Sequence, residues 1–212
     1  AAQTDRLRGV GLWVLNPDGT RPAAWTTPLH VPQYLAGLWD FDGENIVAAT
    51  NQVSIGDLDP QTPGLDMVFA GFDGKIHLVG ADKVERWAYT YTTANNVLTG
   101  GVALADLSGD GVPEVVFATY STAMNLSALF VVDARGALQH KIALPKRGSM
   151  AVPTVADVNS DGVLEIVVNL KDGADGMPLA LAYTVPGSSP NCILWGTGRG
   201  SLLRGGYFRK AP

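Results

Sequence analysis

The sequence has a single cysteine, Cys192, among its 212 residues. One cysteine cannot form a disulfide within the chain, so the stability of the fold must come from packing and, where the chain offers ligands, from metal binding. The expected role of Cys192 is that of a small buried apolar side chain rather than that of a catalytic nucleophile.

Charged residues and long apolar runs are also scarce. Charged residues make up 17% of the chain and hydrophobic residues 46%, which excludes disorder, and no apolar run approaches the roughly 18 residues of a membrane span. The net charge of −5 and the pI near 5.0 argue against a nucleic-acid surface. The first nine residues lack the charged start and apolar centre of a signal peptide, so a secreted form would already have lost that segment.

The common catalytic motifs are missing as well. His30, His77 and His140 are scattered, and the sequence contains no H-E-x-x-H, G-x-S-x-G or S-x-x-K motif. His77 falls in the predicted strand KIHLVG, where we expect a surface or cross-strand role. Outside the acidic loops described next, no convergent pair of titratable groups suggests an acid and a base.

What the chain does contain is a loop of alternating oxygen donors, ADVNSDGVLEIVV, from Ala156 to Val168. Gly162 stands at position 6, where a sharp turn is needed, and β-branched residues follow the loop. An EF-hand would require its acid at position 12, which here is Val168, so we predict a calcium loop between two strands. The predicted ligands at positions 1, 3, 5, 7 and 9 are Asp157, Asn159, Asp161, the carbonyl of Val163, and Glu165.

The same pattern occurs twice more along the chain. The segment ADLSGDGVPEVVF begins 51 residues earlier, and GDLDPQTPGLDMVF, a damaged copy with Gln61 at position 5 and its last acid one residue late, begins a further 49 residues before that. This spacing is typical of propeller blades. The predicted ligands are Asp106, Ser108, Asp110, Val112 and Glu114 in one copy, and Asp57, Asp59 and Asp66 in the other.

These loops resemble the calcium loops of the FG-GAP or VCBS repeat propellers, the family that includes the head of integrin α chains. GFDG, at residues 71–74, is the nearest match to the family's Phe-Gly signature. The resemblance implies an all-β partial β-propeller of about three to four blades, each with four antiparallel strands. It also implies bound Ca²⁺, a non-catalytic role in extracellular recognition or adhesion, a protein or glycan ligand, and a secreted or cell-surface location.

We predict one domain over residues 1–212, with repeats at about 51–93, 96–145 and 151–186. A hairpin within residues 9–28 would form the outer half of a further blade, and residues 191–212 would form a closing segment. Two features remain open. An acidic cluster either binds metal or lies in an inter-blade connection, and the Gly- and Arg-rich tail either binds an anion or is solvated. The cluster is formed by Asp40, Asp42 and Glu44.

Two other functions compete with recognition. The segments LVGADKVERW and VLNPDGTRPAAW resemble repeats of quinoprotein propellers, and FG-GAP blades also accompany polysaccharide lyases, so the chain would then belong to a secreted enzyme. A lone cysteine counts against the quinoprotein alternative, because several of those dehydrogenases carry a vicinal disulfide. The third alternative is a structural partial propeller that is completed by self-association or by a partner chain, because three blades leave exposed sheet edges.

Overall fold

The computed structural model of the chain describes residues 10–31, 52–59, 61–62, 64–94, 96–173, 176, 178–201 and 203. In these ranges the fold is all-β and its strand pairs are antiparallel, as the sequence predicts. One 3₁₀ turn, Ala23–Trp25, is present. No helix in the described ranges is long and apolar enough to cross a membrane.

The strands form four sheets, which we number I to IV in chain order. Sheet I pairs β1 (Val10–Leu12) with β2 (Leu29–Val31), and sheet II has the order β3 (Ser54–Gly56), β4 (Asp66–Ala70), β5 (Lys75–Val79), β6 (Glu85–Thr90). Sheet III contains β7 (Val97–Thr99), β8 (Ala103–Ala105), β9 (Glu114–Ser121), β10 (Ala128–Val132), β11 (Leu138–Ala143) and β15 (Ile193–Trp195). Sheet IV contains β12 (Thr154–Ala156), β13 (Leu164–Asn169) and β14 (Ala180–Val185).

Sheet III is covered on both faces, which explains why its central strands are apolar throughout. Successive side chains of a strand point to opposite faces. Val115 and Phe117 therefore pack in one cluster with residues of sheet II, whereas Val116 packs in another with Ile166 and other residues of sheet IV. A third cluster joins sheet I to sheet II. The sheets are thus stacked in chain order.

The strand β9 has two short partners on one edge. Residues 119–121 pair with β7, and residues 114–116 pair with β8. Between the two partners, Gly101 has a φ of +141°, a conformation that glycine adopts without steric cost. The first strand of sheet III is therefore interrupted once, and the sequence analysis predicted only its second part.

The strand β15 lies among the first strands of sheets II, III and IV. It pairs with β8, and the carbonyl of Gly196 just beyond it accepts a 2.7 Å hydrogen bond from the amide of Val155 in β12. Toward β3 the fit is close, since a Cβ on Gly56 would lie 3.1 Å from the side chain of Leu194. The sequence did not predict a strand in this segment.

The strands expected in the three repeats are present, but the hairpin predicted between Gly11 and Trp25 is wrong. The turn itself forms, because Gly19 donates its amide to Asn16. Beyond Pro22, however, the chain enters the 3₁₀ turn, which buries the Trp25 side chain against sheet II, where its indole donates to the carbonyl of Ala81. The partner of β1 is therefore β2 rather than residues 20–25.

Candidate metal centre

The three predicted metal loops each join two paired strands with the same register. They connect β3 to β4, β8 to β9, and β12 to β13. In each, the last acid lies opposite the residue that precedes the first acid of the loop: Asp66 opposite Gly56, Glu114 opposite Ala105, and Glu165 opposite Ala156. We call these three residues the closing acids.

Each closing acid folds back onto the start of its own loop. One carboxylate oxygen accepts the backbone amide of the residue that follows the first acid, at 2.9 Å from Leu58, 2.6 Å from Leu107 and 3.0 Å from Val158. All three closing acids are buried. The strand pairing therefore fixes one buried carboxylate at the base of each loop.

The first acid holds the turn of the loop in the two intact copies. Asp106 accepts the amides of Gly109 at 2.7 Å and Gly111 at 2.8 Å. Asp157 accepts the amides of Asp161 at 3.1 Å and Gly162 at 2.9 Å. The glycine at position 6 has a φ of +86° in both loops, which confirms the predicted need for glycine there.

The Asp106 loop gathers three carboxylates. One ligand atom from each of Asp106, Asp110 and Glu114 lies within 4.8 Å of the others, and this is the one such cluster of acid, His or Cys side chains in the described part of the chain. Burial raises the pKa of Glu114, hydrogen bonds from Leu107 and Ser108 lower it, and the charge of Asp106 raises it, with a net upward direction. The loop therefore concentrates negative charge beside a buried carboxyl.

The remaining predicted donors of this loop lie at its exposed end. The hydroxyl of Ser108 is 3.4 Å from Oδ1 of Asp106, and the amide of Val112 donates to Oδ1 of Asp110 at 2.8 Å. Asp110 is exposed, unlike Asp106 and Glu114. The loop thus has a buried base and an open rim.

The Asp157 loop has a different distinguishing feature. Glu165 is only 3% exposed, and its Oε1 is buried without a hydrogen-bond partner among the described residues, although Oε2 has one. At the rim, Asn159 donates to Oδ2 of Asp161 at 2.8 Å, and the amide of Val163 donates to Oδ1 of Asp161 at 2.9 Å. A buried carboxylate oxygen without a partner is costly, so this loop has an unsatisfied acceptor at its base.

In the Asp57 loop, the last acid, Asp66, was expected to be out of register because it comes one residue late, but the strand pairing shows that it is in register. Asp66 occupies the same pairing position as the other closing acids, because the additional residue is absorbed within the loop. Asp57 is exposed, however, and Asp59 binds Thr62 Oγ1 at 2.6 Å. That hydrogen bond lowers the pKa of Asp59, whereas burial raises the pKa of Asp66.

A second charged cluster, which the sequence analysis missed, lies in sheet II. Nδ1 of His77 is 2.6 Å from Oε1 of Glu85, and its Nε2 is 3.2 Å from Oδ1 of Asp73. Burial lowers the pKa of His77, but its hydrogen bonds to both carboxylates and their charges raise it, and the net direction is upward. The predicted cross-strand role is confirmed, because Glu85 is on β6 and His77 on β5.

The signal for this second cluster was present in the sequence but weak. Asp73 precedes His77 by four residues, a spacing without special meaning in a strand, and Glu85 lies beyond the next turn. A Cβ on Gly71 would lie 2.3 Å from Asp73 and 2.7 Å from His77, so the glycine of GFDG makes room for the cluster. His77 and Asp73 are buried, whereas the side chain of Glu85 is 47% exposed, so the cluster reaches from the protein interior to the surface.

Among the described residues, the side chains of Cys192 and Arg199 take no part in these clusters. Cys192 is partly rather than fully buried; burial and the charges of Asp106 and Glu114 raise the pKa of its thiol. The amide of Arg199 donates to the side chain of Gln52 at 2.8 Å. The cluster predicted from Asp40, Asp42 and Glu44, as well as Arg204 and Arg209, lies outside the described residues.

Comparisons with known proteins supply no further assignment. No protein-family model matches the chain, and no curated protein has a matching sequence.

Proposed function

We propose that the chain is a non-catalytic calcium-binding module of FG-GAP or VCBS type, which recognises a protein or a glycan outside the cell. The observation that carries this proposal is the repeated loop geometry. Each of three strand pairs places one buried closing acid beneath a turn that is rich in oxygen donors. The closing acids accept backbone amides of their loops, but a buried carboxylate is costly, and a bound cation would offset that cost.

The donor chemistry of the two intact loops suits Ca²⁺. Calcium prefers six to eight oxygen ligands from carboxylates, carbonyls, hydroxyls and water, in a flexible geometry. The Asp106 loop offers Asp106, Asp110 and Glu114 with ligand atoms within 4.8 Å, and Ser108 and the Val112 carbonyl belong to the same loop. A divalent cation there would offset the mutual repulsion of the carboxylates.

The Asp157 loop fits the same ion for a different reason. The Oε1 atom of Glu165 is buried and has no partner among the described residues, so it is an acceptor that a cation could satisfy, although Asp157, Asp161 and Glu165 do not converge as the three acids of the Asp106 loop do. The predicted donors Asn159 and Val163 lie in the same turn. The Asp57 loop is a weaker candidate, because it lacks an acid at position 5 and Asp59 already binds Thr62.

The stacking of the sheets in chain order supports a propeller-type arrangement. Consecutive blades of a propeller pack face to face, with their first strands nearest the axis. In this chain the first strands of sheets II, III and IV all meet β15. Rigid stacked sheets with loops at their ends suit recognition rather than catalysis, and the imidazole of His77 is buried.

Calcium titration by calorimetry tests the proposal. We expect two bound ions per chain with dissociation constants of about 0.1 to 1 mM, the range of extracellular modules. The paired variants Asp106→Asn and Asp157→Asn should each remove one ion. The result that contradicts the proposal is the absence of calcium binding in the intact protein, or an unchanged number of ions in both variants.

A second candidate function, completion of the sheet stack by another chain, is favoured by the outer face of sheet IV. Ala180 and Ala182 are exposed on β14, and Val167 on β13, which pairs with Ala182, is only partly buried. Small, weakly polar side chains in adjacent strands form a smooth surface for another sheet. Light scattering tests this candidate: a concentration-dependent dimer supports it, and a strict monomer contradicts it.

A further inference from the structure

Sheets III and IV separate toward their outer strands and leave a cleft of about 530 Å³. Their inner parts are held together by a continuous apolar cluster that includes Val116, Leu129 and Val155. At the outer edge, β11 faces β14 across the opening. The volume lies within the range of small-molecule sites in proteins, about 300 to 1,000 Å³.

The inner wall of the cleft is apolar. Val131 of β10 and Ile166 of β13 are buried side chains of the cluster between the two sheets, and both line the cleft. Nearer the opening, Ile142 of β11 remains 38% exposed although it faces the same side. An apolar wall with an exposed aliphatic side chain is suited to the flat, apolar face of a ring.

Polar groups without partners stand on both sides of the opening. His140 on β11 and Tyr183 on β14 line the cleft, and neither side chain has a hydrogen bond within the described part of the chain. Register places His140 opposite Val131, on the cleft side of its strand, and Tyr183 opposite Ile166. The cleft therefore presents an imidazole and a phenol hydroxyl to a ligand between the two sheets.

The charge of the lining argues against an anionic ligand. Glu114 and Ser108, both from the Asp106 loop, line one end of the cleft, and no Lys or Arg is among the described residues that line it. An anion would therefore meet a carboxylate and no cationic side chain of the cleft. The nearest lysine on β11, Lys141, is on the opposite face of that strand, 5.3 Å from the ring of Phe130.

We propose that this cleft binds one neutral hexose unit of a glycan. A sugar ring has an apolar face, which the wall of Val131 and Ile166 accommodates, and hydroxyl groups, which His140 and Tyr183 meet as donors and acceptors. The inference rests on the proposed function, because it names the glycan as the ligand of the same module. It places the sugar beside the Asp106 loop, so that calcium orders one end of the cleft.

The test measures sugar binding by calorimetry and by ligand-observed NMR. Calcium is present at about 2 mM, which exceeds the dissociation constants of extracellular calcium sites. The probes are cellobiose, lactose, maltose and sucrose, all uncharged, with galacturonic acid and cyclohexanol as comparisons. At least one disaccharide should bind, galacturonic acid should bind more weakly, and cyclohexanol should not compete. Failure of all four disaccharides to bind, or equal binding of cyclohexanol, overturns the proposal.

Adjacent residues on β11 provide a matched pair of variants. His140→Ala should weaken sugar binding by about three- to tenfold, the value of one lost hydrogen bond, and Tyr183→Phe should have a similar effect. Lys141→Ala, on the other face of the strand, should leave binding unchanged. Equal affinities of the wild type and His140→Ala would place the sugar elsewhere and overturn the proposal.

Calcium titration of the same samples separates the two proposals. A protein that binds calcium but none of the sugars contradicts the cleft proposal alone. A protein that binds a sugar in a His140-dependent manner but binds no calcium supports the cleft and contradicts the calcium module. If neither ligand binds, both proposals fail.

Discussion

The two charged clusters of the protein differ in how their negative charge is balanced. In sheet II, His77 lies between Asp73 and Glu85, so one imidazolium faces two carboxylates. In the Asp106 loop, Asp106, Asp110 and Glu114 converge with no cationic side chain among them. The first cluster can be satisfied by a proton on His77, whereas we propose that the second takes up a cation from solution. The comparison predicts that the two clusters respond to different solution conditions.

The largest effect is expected from His77→Gln, which removes the imidazole from buried Asp73 and leaves it only the Lys75 ammonium, 4.0 Å away. Removing one partner of a buried pair costs about 3 kcal/mol or more in the free energy of unfolding. The loss should be the same in calcium and in chelator, as measured by urea unfolding. A loss of stability that appears only in calcium would contradict the prediction that the His77 cluster is independent of calcium.

The pH dependence of this variant sharpens the comparison. Because the pKa of folded His77 is raised, its contribution is fully present below its unfolded pKa of about 6.5 and disappears as pH rises through the folded pKa. The stability difference between the wild type and His77→Gln should therefore be greater at pH 6 than at pH 9. A stability difference between the wild type and His77→Gln that increases with pH would contradict the raised pKa of His77.

Asp106→Asn should have the next largest effect, and the loss should be greater in calcium than in chelator, because both oxygens of Asp106 also accept loop amides without the ion. An ion at 100 times its dissociation constant stabilises the folded state by about 2.7 kcal/mol, which corresponds to about 5 to 10 °C in the Tm of a chain of this size. Differential scanning calorimetry in calcium and in excess chelator measures the difference. Asp82→Asn is a suitable control, because Asp82 pairs with Arg86 outside the loops. Equal losses in both solutions would show that Asp106 is not a ligand.

The effect of Glu165→Gln on the free energy of unfolding should have opposite signs without and with calcium. Without calcium, the variant exchanges a buried carboxylate, whose Oε1 has no partner, for an uncharged amide, so its stability should equal or exceed that of the wild type. With calcium, the lost ligand should make the variant less stable. Unfolding in urea under both conditions measures the two differences. A variant that is less stable than the wild type without calcium would contradict the inference that Oε1 of Glu165 has no partner there.

The smallest effect is expected from Gln61→Asp, which supplies the missing acid at position 5 of the Asp57 loop. The closing acid Asp66 is already in register, so the variant should bind one more calcium ion, weakly, in a calorimetric titration. Gln61→Asn, which adds no charge, is the matched control. An unchanged number of ions would indicate that the hydrogen bond from Thr62 to Asp59 prevents binding.

The sequence predicted those parts of the fold that depend on local patterns. Alternating β-branched residues and turn glycines predicted the strands of the three repeats, and the spacing of acids predicted the loops. The register of Asp66 could not be predicted, because an additional residue in a loop does not reveal whether the loop or the strand absorbs it. The pairing of β1 with β2 was missed because the 3₁₀ turn is stabilised by a distant contact, from Trp25 to Ala81.

The charged cluster in sheet II was missed for a similar reason. Its three members come from a turn and two strands, and only the hairpin between β5 and β6 brings Glu85 to His77. The calcium sites remain predictions: the donors converge in the Asp106 loop, but the ion itself is a proposal. Local spacing thus predicted which residues share a loop, whereas long-range pairing determines which carboxylates are buried.

The position of β15 has a consequence for biosynthesis. Ile193 pairs with Ala105, a residue made 88 positions earlier, and Gly196 bonds to Val155. While the ribosome is still translating the third repeat, the inner edge of β8 therefore has no native partner. The contacts of β15 with β8 and β12 can form only after residue 196 leaves the exit tunnel, so a truncation just before that point should leave the inner edge of β8 open to chaperones.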